Sequence, residues 1–437
     1  LGCTGDAARR LFRRRCRLFL AGKWQDLWEA QPAAVPHAER ARQAAERARR
    51  QGYTSDSRLD HAVDSVKAGR ISHACRVLVS NGAATDIDAA YAFLRSVHFD
   101  PPEEDPAALT AEEEAAVAAA LAQQFGSVEE RDQWEADLAT ELLKIFPSLP
   151  SGVGAGPTGL RFEHLKGAAG SAGGVQALLS ICLRISRGAW TAPAFPTARL
   201  TALLKGATEA DGLRPVACGE VLRRVVGRAI LRAHQDKIEE HFLAANQFSF
   251  SQDGALAALN LIRMHLAKHP GHVVAATDKR SAFQRVSRSE MRRQLVADFP
   301  TFLPYFELLY GLEAELQFEG RTVESRHGCQ QGCAWGTFLY GLGDRQRMLD
   351  LAAAHRNVVF VQFVDDVYML GAPAAVAAAF SAWRAATEAA CEAVNLGKCV
   401  AWAPQVAAFQ AAEELLPLGM MRQGTPKQRV LPPAAAL

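Results

Sequence analysis

The stretch Val361-Gln362-Phe363-Val364-Asp365-Asp366-Val367-Tyr368-Met369-Leu370 sets two adjacent carboxylates inside an apolar run. Its β-branched and aromatic residues favour extended structure. Two ionised carboxylates in apolar surroundings are costly unless a cation compensates them. Successive side chains of a strand point to opposite faces. Asp365 and Asp366 can therefore share one site only if the chain turns between them. Residues 358–364 and 367–370 accordingly read as two strands meeting at the acids.

Upstream, residues 273–277 form another buried-strand run, and Asp278 follows at its end. Carboxylate oxygens suit a hard divalent ion such as Mg²⁺, which takes one or two carboxylates and completes its shell with water and phosphate oxygens. Two such ions can clamp the attacking and leaving oxygens of a phosphoryl transfer. Positioning and charge neutralisation then carry the reaction. Taken singly, an Asp pair also fits a solvated turn, and a lone Asp a helix cap. The order of several pieces together separates these readings.

The surrounding pattern alternates. Helices are expected at 175–187, 219–241, 289–299, 336–354 and 374–392, and strands at 198–204, 273–277, 358–364, 367–370 and 398–403. Glu319-Gly320 between 315–318 and 322–325 signals a hairpin. Strands with acids at their ends, backed by helices, make an α+β domain. Before them, residues 1–146 read as a helical region, with segments at 37–51, 57–67, from 72, 86–97, 111–125 and 128–146, and an acidic, Pro-containing linker at 100–108.

The chain has 437 residues, enough for two or three domains with cores of their own. Its 49 basic and 47 acidic residues nearly cancel, but residues 1–50 are Arg-rich and residues 100–141 are acidic. The basic start suits phosphates, or is simply a solvated helix face. The nine cysteines show no zinc-finger spacing and fit a reducing compartment. No apolar run is long enough to span a membrane. The chain opens on Leu1 and reads as a piece of a longer frame.

Seven blocks now fall into a known order. Gly156-Pro157-Thr158-Gly159-Leu160, Leu213-Arg214-Pro215-Val216, Asn246-Gln247-Phe248, Asp278-Lys279-Arg280-Ser281-Ala282-Phe283, Gly328-Cys329-Gln330-Gln331-Gly332-Cys333, Phe363-Val364-Asp365-Asp366 and Asn395-Leu396-Gly397-Lys398-Cys399 follow one another over residues 150–403. This series resembles the reverse transcriptase domain of retrotransposons that lack long terminal repeats. The resemblance implies right-hand polymerase fingers at 147–272 and a palm at 273–403, with an antiparallel palm sheet backed by helices. A truncated tail without a thumb would occupy 404–437. It implies an RNA-directed DNA polymerase that extends a primer 3′-hydroxyl, using two Mg²⁺ ions (Mn²⁺ as substitute), an RNA template, a DNA or RNA primer and dNTPs. An intracellular, nuclear setting would follow from such an element's life cycle.

By the same resemblance, Asp278, Asp365 and Asp366 would be the catalytic and metal-binding acids, with the Lys279 carbonyl a further ligand. Lys205 and Arg214 would hold the triphosphate, and Lys398 would protonate the leaving pyrophosphate. Phe283 would lie under the incoming sugar, and Gln331 and Gly332 would touch nucleotide and template. Some positions depart from the pattern. Lys279 and Arg280 are cations expected to draw Asp278 into an ion pair, and Gln284 stands where Asp or Asn is frequent. Ala334, Trp335 and Thr337 replace the residues usual after Gln-Gly, with Trp335 expected beside the template path. A decayed, inactive remnant that keeps the fold and some nucleic-acid affinity is the alternative.

Overall fold

The computed structural model describes residues 82–98, 107–189 and 195–411 (except 207, 313, 406 and 409), the pair 421–422, and a few single positions before residue 27. The helices expected at 37–51, 57–67 and from 72, and most of the tail, lie outside the described residues.

From residue 82 the described elements open with helices α1 (Ile87–Val97), α2 (Ala111–Ala122), α3 (Val128–Ile145), α4 (Phe162–Ala168) and α5 (Ala172–Ser186). Four of these starts are capped: Asp86, Thr110, Ser127 and Ser171 each accept a first-turn amide. Strands β1 (Ala198–Leu204) and β2 (Leu213–Gly219) then form an antiparallel pair. Helices α6 (Val221–Ala233), α7 (Gln235–Leu243) and α8 (Gly254–Lys268) lead to β3 (Val273–Ala276) and the short β4 (Lys279–Arg280). Next come α9 (Ala282–Arg285), α10 (Arg288–Asp298), α11 (Leu303–Tyr310), β5 (Ala314–Phe318), β6 (Arg321–Ser325) and α12 (Gly336–Ala354). The hairpin β7 (Val359–Phe363) and β8 (Asp366–Gly371), helix α13 (Pro373–Ala389), and strands β9 (Ala393–Val394), β10 (Val400–Trp402) and β11 (Met421–Arg422) complete it.

The strands build a four-stranded sheet in the order β2-β1-β5-β6, a five-stranded sheet in the order β11-β10-β3-β8-β7, and the pair β4-β9. The α+β class expected from the alternation is therefore observed, with mostly antiparallel pairing. In the five-stranded sheet the strand period sorts the side chains cleanly. Val273, Ala275, Phe360, Val367 and Met369 join Met348 of α12 and Val376, Phe380 and Trp383 of α13. Val274, Val361, Tyr368 and Leu370 join Ala258, Ile262 and Leu266 of α8. Helices cover both faces, which is why these strands read as continuous apolar runs. Each large apolar side chain buried this way contributes about 1.5–3 kcal/mol.

Several elements differ from the sequence expectation. The helix expected at 219–241 is two helices, broken at His234 (φ −120°), whose ring stacks on Trp134 at 4.7 Å. Strand β2 is masked in the sequence by Pro215, which breaks the strand pattern; β2 is an edge strand, where a missing N–H is tolerated. Helix α8, which starts on Gly254, and α11, with Pro304 in its first turn, are likewise masked by residues that ordinarily break helices.

The packing also runs across position 146. Trp134, Leu138 and Leu142 of α3 share one core with Val225 of α6, Phe302, and Phe338 of α12. Ala90 and Leu94 of α1 pack on the four-stranded sheet. Helices α1 and α3 of the N-terminal region are thus built into cores that later elements complete.

Trp335 is the clearest correction. It is 0% exposed, packs against Phe302, Tyr305 and Phe338, and donates from Nε1 to the Gly227 carbonyl at 2.9 Å. A large apolar ring with one N–H satisfied in this way is a core residue, so it does not stand beside an open path.

Candidate active site

The site begins where β3 and the β7–β8 hairpin end together. Ala276 faces Tyr368 across the sheet. The Thr277 amide continues the ladder to the Val367 carbonyl at 3.0 Å, which brings Asp278 alongside Asp366. Phe363 pairs with Asp366, leaving Val364 and Asp365 as a two-residue turn. Val364 has φ 56°. A positive φ at the first central position alone is the type II′ pattern, where Gly is favoured. A β-branched residue there costs of order 1–3 kcal/mol. The turn between antiparallel strands expected around the acid pair is present, and it lets Asp365 approach Asp366.

The charges of the three acids act on one another. Burial raises Asp365 above the usual carboxylate range, and the charge of Asp278 adds to the shift. Burial, then Asp365 and Asp278, push Asp366 up to about 7. Asp278 is held by Asn395, whose amide donates to its Oδ2 at 2.8 Å and whose backbone N–H donates to its carbonyl at 2.9 Å. Among the described residues no three His, Cys, Asp or Glu side chains already surround one point for an ion. The chemistry of the cluster nonetheless suits one, since like charges forced together are relieved by a divalent cation.

The predicted cations arrive from two other places. Lys205 follows β1, Arg214 lies in β2 opposite Leu203, and Lys398 lies in the turn before β10. Burial lowers Lys205 from its ordinary value; Lys398 and Arg214 lower it further, while Asp278 opposes them. One electrostatic neighbourhood therefore contains Lys205, Arg214, Lys398 and Asp278. Gln331 and Gly332 dock on the same β2 strand: the Ala217 amide donates to the Gln331 carbonyl at 2.7 Å. Gly332 has φ 99°, and a Cβ there would lie 2.7 Å from the Ala217 carbonyl oxygen. Only glycine allows this approach. Phe283 is half-buried and stacks on Tyr340 at 5.3 Å, beside the ring that neighbours Asp365.

Lys279 departs from expectation. Its side chain is 0% exposed, and its Nζ lies 2.9 Å from Asp344 Oδ1 and 3.0 Å from Glu392 Oε2. Arg347 joins the same two acids. The cation beside Asp278 is thus drawn into a charge-balanced cluster under the site, and Asp278 pairs with Asn395 instead. Arg280 is exposed. Asn395, Gln247, Ser249, Asp344 and Glu392 are partners that local sequence reading did not assign. Only Asn395 and Gln247 had a signal, as members of recognised blocks.

No protein-family model matches the chain, and no curated protein matches it. Among the described residues no helix is long and apolar enough to cross a membrane.

The raised Asp366 has a measurable consequence. Its folded value lies above the ordinary 3.8, so between about pH 4 and pH 7 the folded state holds a proton that the unfolded state has lost. Stability of the metal-free protein therefore falls as pH rises through that window. Thermal melts in a chelator should show a drop of a few degrees, which Asp366→Asn flattens. A drop of equal size in the variant would remove Asp366 as its source.

Proposed function

We propose that the protein is the fingers and palm of an RNA-directed DNA polymerase, of the kind found in retrotransposons without long terminal repeats. The observation that supports this is the register that ends β3 and the β7–β8 hairpin together, so that Asp278 and the Asp365-Asp366 turn lie at one end of the five-stranded sheet. The charges of Lys398, Arg214 and Asp278 all act on Lys205, which follows β1. Acids alone would suit many hydrolases. Acids and cations together suit a substrate that carries a polyphosphate.

Two Mg²⁺ ions, or Mn²⁺, held by Asp278, Asp365, Asp366 and the Lys279 carbonyl would neutralise charge on the oxygens exchanging at phosphorus. The chain's own groups do the rest. Lys205 and Arg214 bind triphosphate oxygens through charge-assisted hydrogen bonds. The primer 3′-hydroxyl gives its proton to water as its oxygen bonds to the α-phosphorus, the bond from that phosphorus to the bridging oxygen breaks, and pyrophosphate leaves with a proton from Lys398. Phe283, braced by Tyr340, lies under the sugar and excludes a 2′-hydroxyl. Gln331 and Gly332 bring their backbone against nucleotide and template.

The test is primer extension by the full chain on an RNA template with dNTPs and Mg²⁺. Extension is the expected result. Template binding without extension, in Mg²⁺ and in Mn²⁺, would instead make the protein a non-catalytic remnant of such a polymerase. In the active protein, Lys205→Ala and Arg214→Ala should each lower kcat/KM for dNTP about 10- to 100-fold, the scale of a lost charge-assisted bond. Affinity for primer–template should not change. Steady-state kinetics with varied dNTP checks this; an unchanged kcat/KM would remove these cations from the nucleotide site.

A further inference from the structure

We infer that Gln247 is a positioning residue for the acid turn: its side-chain amide clamps the Val364 peptide in the left-handed conformation that brings Asp365 beside Asp366. The clamp is read from the geometry, and its catalytic consequence rests on the polymerase reading.

Gln247 is buried, and its side chain meets both backbone polar groups of Val364. Nε2 donates to the Val364 carbonyl at 2.9 Å, and Oε1 accepts from the Val364 N–H at 3.0 Å. Ser249 strengthens the contact. Its hydroxyl accepts from the same N–H at 2.5 Å and donates to Gln247 Oε1 at 2.6 Å. The segment itself is zipped to β7. The Gln362 N–H donates to the Asn246 carbonyl at 2.9 Å, the Phe248 N–H to the Gln362 carbonyl at 3.0 Å, and Gln362 Nε2 to the Ala245 carbonyl at 2.6 Å. Residues 245–249 thus reach the turn as a short partner of the last strand before the acids.

The turn needs this support. Val364 occupies a position where glycine is favoured, and its branched side chain resists positive φ. Relaxing that φ would rotate the peptide leading into Asp365 and swing its carboxylate away from Asp278. Gln is suited to the task because it offers a donor and an acceptor in one plane, as a peptide does. Glu would lack the donor and bring another negative charge to the acids. Met would keep the volume and lose both bonds.

The experiment compares wild type, Gln247→Met, Val364→Gly and the double variant in primer extension and in Mn²⁺ binding followed by electron paramagnetic resonance. Gln247→Met should lower kcat about 100-fold, the scale of a small misplacement of reacting groups, with dNTP KM nearly unchanged. Its Mn²⁺ affinity should fall about tenfold, because two carboxylates no longer converge. Val364→Gly in the Gln247→Met background should recover at least about tenfold of kcat, since glycine takes positive φ without a clamp.

A purely structural role would lower the melting temperature but leave kcat per folded molecule and Mn²⁺ affinity unchanged, with no recovery on adding Val364→Gly. Either of those results overturns the inference while the polymerase reading stands. If the wild type neither extends a primer nor binds Mn²⁺, the polymerase reading fails and this inference with it. Should Gln247→Met not fold, Ser249→Ala removes one branch of the same contact. It should show a smaller loss that Val364→Gly again restores; no loss, or no restoration, overturns the inference.

Discussion

Asp365→Asn is expected to abolish primer extension, by about a thousandfold or more, while leaving the protein folded and at least as stable as before. The two halves of this result come from one cause. Asp365 is held above the ordinary carboxylate range by burial and by Asp278, so its charge strains the metal-free fold. Asn keeps the shape and the hydrogen-bonding capacity but removes that charge. The strain goes, and with it the negative charge on which the proposed ions depend. Activity per folded molecule and the melting temperature in chelator should therefore move in opposite directions. A variant that keeps a tenth of the activity would remove Asp365 from the chemistry. A variant that loses activity and stability together would make it a structural residue.

Lys279→Met should cost about 3–5 kcal/mol of stability, the scale for leaving buried charges without their partner. Two buried carboxylates, Asp344 and Glu392, would then share Arg347 alone. Against the opposing effect of burial, Arg347 and Lys279 hold Asp344 well below the usual carboxylate range. Urea denaturation measures the loss. Adding Asp344→Asn to Lys279→Met should restore much of it, because Arg347 and Glu392 are then left as a balanced pair. Arg280→Ala, on the exposed side, should change stability by less than about 0.5 kcal/mol. If Lys279→Met and Arg280→Ala had equally small effects, the buried cluster would not be a stabilising element. The buried cluster also replaces the simpler expectation that both cations draw Asp278 into an ion pair. Only Arg280 faces solvent, and Lys279 is already neutralised from below.

Much of the site was legible because its signals are local. An acid pair interrupting an apolar run must be compensated, and the strand period demands a turn between the two carboxylates. Both statements need only the order of residues 358–370. The β5–β6 hairpin was legible for a similar reason: Glu319-Gly320 has the turn chemistry a short connection requires, and both residues have positive φ. Strand β2 was not, because Pro215 marks an edge strand only once the neighbouring strands are known. Helices α8 and α11 were hidden by Gly254 and Pro304 at their starts.

The sequence by itself determined the α+β class, the acid-bearing ends of the strands that lead to Asp278 and to the Asp365-Asp366 pair, and the Glu319-Gly320 hairpin. These come from period, turn chemistry and the cost of burying charge, which act over a few residues. Only the tertiary structure decided where Trp335 and Lys279 point. Each lies next to a motif, and chain position alone gives a side chain no direction. Trp335 turned into the core because burying an indole with its N–H satisfied is favourable. Lys279 turned under the site because two carboxylates from distant segments wait there. The clamp of Gln247 on Val364 belongs to the same class. A side chain 117 residues away in the sequence holds the strained turn, and no local pattern can announce a contact that exists only after the chain has folded.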